Sequence, residues 1–307
     1  MAIAILGNGI IGHGMADVFA KAGHEVRLIG RSEASLAAAL ARIRESMGVF
    51  AAEGLFEAAQ IEPAMARIST ATDLAAAQGC DFVFEAVPED MELKLSLFER
   101  LDAMLPPTAI LASSSGHPAS ALAARMTHRA RMVAAHFWYP PQLLPLVEVC
   151  GGPETAPEVV DRTVALLRAA GKEPVVIEKE VPGFIGNRIQ FAALREAWSL
   201  WARGVASAEA IDAVVRHSIG RRLGVTGPIE SADLGGLDTM WHFARFLQPD
   251  LDAEPQPPEA IGRLVEQGAR GVANGRGVHD WSRRDGAALA EARRRELIRW
   301  LKADRAR

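Results

Sequence analysis

Ala2-Ile3-Ala4-Ile5-Leu6-Gly7-Asn8-Gly9-Ile10-Ile11-Gly12 is the stretch whose reading decides the fold. A short apolar run ends in glycines, and apolar residues then recur at helical spacing over residues 10–22 until Gly23 closes the run, so the order is strand, turn, helix. The turn is a G-x-G-x-x-G. Gly7 permits the tight bend, Gly9 lets the backbone approach a pyrophosphate, and Gly12 lets the helix pack closely, with the anion resting on the helix N-terminus. Gly7, Asn8, Gly9, Ile10, Ile11 and Gly12 are therefore the expected dinucleotide-binding residues. A glycine-rich turn without a ligand is the plainer reading of such a motif, and its place between a strand and a helix argues for the cofactor.

Outward from that turn, residues 25–29 read as a second strand. In an NAD site a carboxylate usually ends this strand and holds the adenine ribose. Here the place is taken by Gly30-Arg31-Ser32, and a guanidinium beside a hydroxyl suits a 2′-phosphate. The expected cofactor is NAD(P), with NADP at least accepted and NAD not excluded, since Arg31 stacked on adenine is the alternative. Leu36, Leu40, Ile43, Met47 and Phe50 mark a long amphipathic segment between Ser32 and about Ala66. Residues 81–87, 109–112, 131–136, 145–149 and 174–177 read as further strands, with helical stretches such as 91–104 and 157–170 between them. Alternating strands and helices imply a mainly parallel, doubly wound sheet of Rossmann type, because parallel strands need crossovers.

After Val181-Pro182-Gly183 only helical patterns follow. The expected organisation is an α/β dinucleotide-binding domain over residues 1–181 and an all-α domain over residues 182–307. The chain has 307 residues, 49% of them hydrophobic and 23% charged, with a formal net charge of −4. That balance gives no cationic surface for nucleic acid or an anionic membrane. No apolar stretch approaches the roughly 20 residues of a membrane span, and the opening run is short and lacks a basic leader. Cys80 and Cys150 do not form a disulfide framework, so a reducing, cytoplasmic setting is expected, and no metal-ligand spacing is present.

His136 stands just beyond an expected strand end, and Glu148 lies on the next strand within Val147-Glu148-Val149. In an open parallel sheet the ligand crevice lies at strand ends. A histidine there can take a proton near neutral pH, and a carboxylate on its far nitrogen would fix the tautomer and stabilise the imidazolium. A carboxylate in an apolar strand is costly to bury without such a partner.

His136, Glu148, Ser113-Ser114-Ser115, the stretch from Phe84 to Lys94, and Pro182-Gly183-Phe184-Ile185-Gly186-Asn187-Arg188 resemble the 3-hydroxyacyl-CoA dehydrogenase superfamily from residue 3 to about residue 240. The resemblance implies His136 as the catalytic base, Glu148 as its orienting acid, and Ser115 and Asn187 as donors to the reacting oxygen. It places Glu89 and Lys94 along the cofactor, makes the segment after Ser32 a helical projection, and implies a homodimer through the all-α domain. Standing alone, Ser115 could be a helix cap and Asn187 a surface residue. His13 and His117 are expected to face solvent or cap helices.

Within the superfamily the lambda-crystallin and L-gulonate 3-dehydrogenase branch is the nearer resemblance, through stretches such as Pro153-Glu-Thr-Ala-Pro157, Glu178-Lys-Glu-Val-Pro-Gly-Phe184 and Glu196-Ala-Trp198. In those relatives the arginine matching Arg222 is placed to hold a substrate carboxylate, and a guanidinium suits a free acid better than a thioester. The projection carries few lysines for a phosphorylated CoA. Against this, residues 227–239 look like acyl-CoA members, and Tyr139 replaces the asparagine that usually precedes this proline. The expected activity is oxidation of the 3-hydroxyl of a small free 3-hydroxy acid, L-gulonate-like or 3-hydroxybutyrate-like. A 3-hydroxyacyl-CoA substrate is the alternative, and a silent crystallin-like or nucleotide-sensing protein a further one.

Overall fold

The computed structural model describes residues 1–306. Two compact units divide the chain: residues 1–185 together with the chain from Arg293 onward, and Gly186–Ala292.

The first unit is built on one eight-stranded sheet in the order β3-β2-β1-β4-β5-β6-β7-β8. Its strands are β1 (Ala2–Leu6), β2 (Glu25–Ile29), β3 (Ile68–Ala71), β4 (Phe82–Glu85), β5 (Ile110–Ser113), β6 (Met132–Phe137), β7 (Leu146–Gly151) and β8 (Glu173–Val176). All neighbours are parallel except β6 and β7. The central strands are buried on both faces, which is why they read as continuous apolar runs and not as alternation. Helices α1 (Ile10–Lys21), α2 (Glu33–Ala52), α3 (Ile61–Ala66), α4 (Met91–Met104), α5 (Ala119–Leu122) and α6 (Pro157–Ala169) belong to the same unit. On one face, Phe19 of α1 packs against Phe84 and Phe137, with ring centroids 5.0 and 6.2 Å away. That contact seats α1 across the strands that carry the site.

The segment expected to run as one amphipathic stretch from Ser32 to Ala66 is broken. The Ser32 hydroxyl caps α2 by accepting the Ser35 N–H. The helix stops at Gly54, whose φ of 70° lets the Leu55 N–H reach back to the Phe50 carbonyl at 2.8 Å. A 3-10 turn and α3 follow. β3 was not expected, because it is a four-residue edge strand with one buried side chain, Ile68, and leaves no periodic trace.

In the helical remainder lie α7 (Phe184–Ala202), α8 (Ala208–His217), α9 (Ile219–Arg222), α10 (Pro228–Leu234), α11 (Leu237–Leu247), α12 (Glu259–Glu266) and α13 (Gly286–Arg305). None of α8 to α12 contains a buried residue. Val214, Leu237, Trp241, Phe243 and Phe246 are all exposed, so these helices carry apolar surface without a core of their own. No described helix is long and apolar enough to cross a membrane. Cys80 and Cys150 are buried free thiols.

The end of α13 belongs to the first unit. Ile298 packs with Phe50, Leu55 and Leu143, Lys302 pairs with Glu53 at 2.5 Å, and Arg305 donates to the Leu55 carbonyl. Beside it, a cavity of about 290 Å3 is lined by Lys21, Phe50, Lys172, Leu301 and Arg305 among others. Lys172 is buried and donates to the carbonyls of Pro141 and Leu144, so it ties β8 to the turn between β6 and β7. Burial pushes its ammonium from the usual 10.5 down to about 7, with Lys21 adding to the effect. The unfolded chain keeps this proton up to about pH 10.5 and the folded one releases it near 7, so stability rises with pH across that window. Urea unfolding of the wild type and Lys172→Met at pH 6.5 and 9 tests this. The stability difference in favour of the wild type grows with pH; a difference that stays flat refutes the buried neutral amine.

Candidate active site

The glycine turn lies where β1 has β2 on one side and β4 on the other, the point at which chain order reverses across the sheet. Gly7 has a φ of 102°, and a Cβ there would stand 2.4 Å from the Ala86 carbonyl oxygen beyond β4. A Cβ on Gly12 would fall 1.8 Å from the Gly7 carbonyl oxygen, so no larger residue fits. Gly9 differs, because nothing lies within 4 Å of where its Cβ would be. No side chain caps α1 at Gly9, and the His13 N–H is the donor that closes on the Gly9 carbonyl. An open space above an uncapped helix start fits a pyrophosphate.

At the end of β2 the Asn8 side chain leans over Gly30, its Cγ 3.0 Å from the position a Cβ would take. Arg31 is exposed. Arg42 reaches back from α2 to donate to the Asn8 carbonyl at 3.1 Å, which sets a second guanidinium beside the turn. Sequence reasoning missed Arg42 because only the path of α2 returns it there. His13 does not face solvent: it is buried, its Nδ1 lies 2.7 Å from the carbonyl of Gly9 at the start of its own helix, and burial holds its pKa below the usual value.

Beyond β4 and β5 lies a buried ionic knot. Glu85 and Lys94 have no exposure, and the Lys94 ammonium meets Glu85 Oε1 at 2.6 Å. The Val87 N–H donates to the same oxygen and the Ser113 hydroxyl to Oε2. With both oxygens bonded, the desolvated carboxylate is compensated, and β4, β5 and α4 are held in one register. Lys94, expected along the cofactor, lies here with its ammonium in the interior. Ser115 continues the chain of bonds: its N–H donates to the Ser113 hydroxyl, and its own hydroxyl donates to Glu89 at 2.8 Å. It also accepts the His117 N–H, so Ser115 forms a local turn and caps no helix. Glu89 is mostly exposed, with His117 Nε2 3.6 Å away. Glu85 carries the same signal as Glu148, a carboxylate inside an apolar run, yet only Glu148 is picked out by it in the sequence.

His136 and Glu148 are brought together by the one antiparallel pairing in the sheet. They are directly opposed residues of β6 and β7, so both side chains project from the same face. His136 Nδ1 lies 2.8 Å from Glu148 Oε2, with the carboxylate buried and the imidazole mostly so. The bond requires the proton on Nδ1 and leaves Nε2 as the basic nitrogen. The Ile185 N–H donates to Glu148 Oε1 at 2.9 Å, and the Trp138 indole N–H to Oε2 at 3.2 Å. Phe184 is buried with its ring 5.7 Å from that of His136, and takes a φ of 50°. That left-handed residue costs about 1–2 kcal/mol and turns the chain so that the next amide reaches Glu148. Neither Trp138 nor the Ile185 amide was foreseen, since a backbone donor leaves no mark in a sequence.

Asn187 and Arg222 belong to the second unit. Asn187 lies in the first turn of α7, two residues past the amide that binds Glu148, and Arg222 is exposed at the end of α9. Among the described residues no cluster of three or more metal-ligating side chains exists.

A doubly wound sheet with this glycine turn at its switch point defines a dinucleotide-binding fold. Residues 2–181 match the family model described as 3-hydroxyacyl-CoA dehydrogenase, NAD binding domain, and residues 183–281 match that family's C-terminal domain. The chain belongs to the 3-hydroxyacyl-CoA dehydrogenase family of NAD-dependent oxidoreductases acting on CH–OH groups. It is 34% identical over 301 residues to 5-formyl-3-hydroxy-2-methylpyridine 4-carboxylate 5-dehydrogenase of Mesorhizobium japonicum, covering 96% of each chain. It is 38% identical over 271 residues to the lambda-crystallin homolog of Bos taurus, covering 86% of this chain and 84% of that protein. A solved structure of 5-formyl-3-hydroxy-2-methylpyridine 4-carboxylic acid 5-dehydrogenase, an NAD+-dependent dismutase, superposes with a TM-score of 0.88 at 32% identity, covering 97% of this chain and 96% of that one.

Proposed function

We propose that this protein oxidises the 3-hydroxyl of a small free 3-hydroxy acid with His136 as the base. The observation that carries the reading is the opposed pair of His136 and Glu148, bonded through Nδ1 so that Nε2 is left to take the hydroxyl proton. Nicotinamide, when bound, accepts the hydride that leaves the same carbon. Glu148 keeps the imidazole in one tautomer and offsets the charge it gains. Ser115 and Asn187 are the assigned donors to the substrate oxygen, and Ser115 exchanges its bond to Glu89 for one to substrate. A complete dyad argues against a silent crystallin-like or merely sensing role.

The free-acid assignment rests on Arg222, whose guanidinium can pair with a carboxylate, and on the carboxylate in the name of the Mesorhizobium relative. The α2 segment offers no lysine to a CoA phosphate. The family description, which names a CoA ester, supports the second reading. For the cofactor, the mostly exposed Glu89 is the assigned contact, with Lys94 acting only from the interior through Glu85, and Gly30, Arg31, Ser32 and the returning Arg42 favour acceptance of NADP. A homodimer is the assigned assembly, because a second copy would cover the apolar surfaces of α8 to α12.

Three measurements bear on this. In a screen of free 3-hydroxy acids and their CoA esters, His136→Gln lowers kcat by about 10^2-fold or more and leaves cofactor affinity near that of the wild type; surviving turnover refutes the base. In the same screen Arg222→Ala raises KM on free acids, and an unchanged KM removes the carboxylate role. Kinetics with both cofactors expects Arg31→Ala to depress kcat/KM for NADP more than for NAD, and an equal loss sinks the 2′-phosphate assignment. Sedimentation velocity expects a dimer at micromolar concentration; a monomer there contradicts the assembly.

A further inference from the structure

We propose that Trp138 is a positioning residue for the His136–Glu148 dyad: its indole N–H, bonded to the same carboxylate oxygen as His136 Nδ1, holds that oxygen in place and shares its charge. This rests on the reading of His136 as the base. Along β6 the side chains alternate, so residue 138 returns to the face that carries His136. Regular pairing ends at Phe137 opposite Val147, and Trp138 leaves the ladder one residue later. Its side chain then reaches across to the residue diagonal to it on β7, the geometry in which long side chains meet between strands. Trp138 Nε1 lies 3.2 Å from Glu148 Oε2, and the indole stands edge to face with the imidazole at 5.8 Å between centroids.

The consequence for the proton follows from the shared oxygen. Glu148 Oε2 accepts from His136 and from Trp138, while Oε1 accepts from the Ile185 amide. With both oxygens tied, the carboxylate plane is fixed, and the imidazole cannot draw the anion toward itself as it becomes charged. A second donor on Oε2 also reduces the negative charge that this oxygen offers to the imidazolium. The group therefore orients His136 firmly and divides the charge of Oε2 between two donors, which suits a base that must receive a proton and then give it up in each cycle. Glu148 is the charged side chain bonded to His136, and the rings of Trp138 and Phe184 packed beside it carry no charge. Tryptophan's indole is a donor only, so it cannot compete for the proton that His136 holds.

Trp138→Phe keeps an aromatic ring at this place and removes the N–H. On whichever substrate the wild type turns over, the variant's kcat falls about tenfold, as loss of a hydrogen bond to a charged group predicts, with KM little changed. Its activity profile is the deciding readout: the acid limb moves to higher pH, because an oxygen with one donor fewer holds the imidazolium more strongly. Trp138→His, which returns a ring N–H, recovers part of kcat and moves the limb back. Unchanged kcat and profile in Trp138→Phe overturn the proposal. So does a fall in kcat with no movement of the limb, which would assign the indole to packing alone. Failure of the base assignment reads separately, as turnover that survives His136→Gln.

Discussion

The reversal of strand direction between β6 and β7 is the constraint on which the site depends. In a wholly parallel sheet, residues of neighbouring strands come side by side only after a crossover, and their slanted bonds do not oppose them directly. Antiparallel pairing sets His136 squarely against Glu148, and the distance between their side chains is then fixed by the pleat. The turn that makes the reversal is itself secured by Lys172, which bonds two of its carbonyls from the start of β8. A chemical pair is thus positioned by the backbone ladder and by the buried amine that secures its turn.

The same economy governs the cofactor side. Gly7 and Gly12 are required because neighbouring backbone occupies the space a side chain would need. The ionic knot of Glu85, Lys94 and Ser113 holds the ends of β4 and β5 beside that turn. Ser115 hangs from the knot through Ser113, so the glycine turn and the serine proposed as a substrate donor share a buried support. Charge inside this protein is spent on registering strand ends, and each buried carboxylate described here is met by more than one donor.

Much of this was legible in the residues. The strand, turn and helix of residues 2–22, the alternation that follows, the change to helices after Gly183 and the pairing of His136 with Glu148 all follow from periodicity, glycine placement and the cost of an unpaired carboxylate. What stayed hidden has physical reasons. β3 buries too little to leave a pattern, and the break in the projection depends on Gly54, one glycine whose left-handed backbone is invisible until the chain folds. The resemblance places Lys94 along the cofactor, whereas Glu85 draws its ammonium into the interior. Arg42, Trp138 and the Ile185 amide act across distances that only the folded chain closes.

The return of α13 to the first unit has a consequence for how the molecule is made. Ile298 and its neighbours cover Phe50 and Leu55, residues that leave the ribosome some 240 positions earlier. Until the last helix emerges, the nucleotide-binding half carries an uncovered greasy spot and lacks the clasp between Lys302 and Glu53. Excising residues 1–185 as a continuous fragment would leave that wound permanently open, because the unit they begin is completed only by the chain from Arg293 onward.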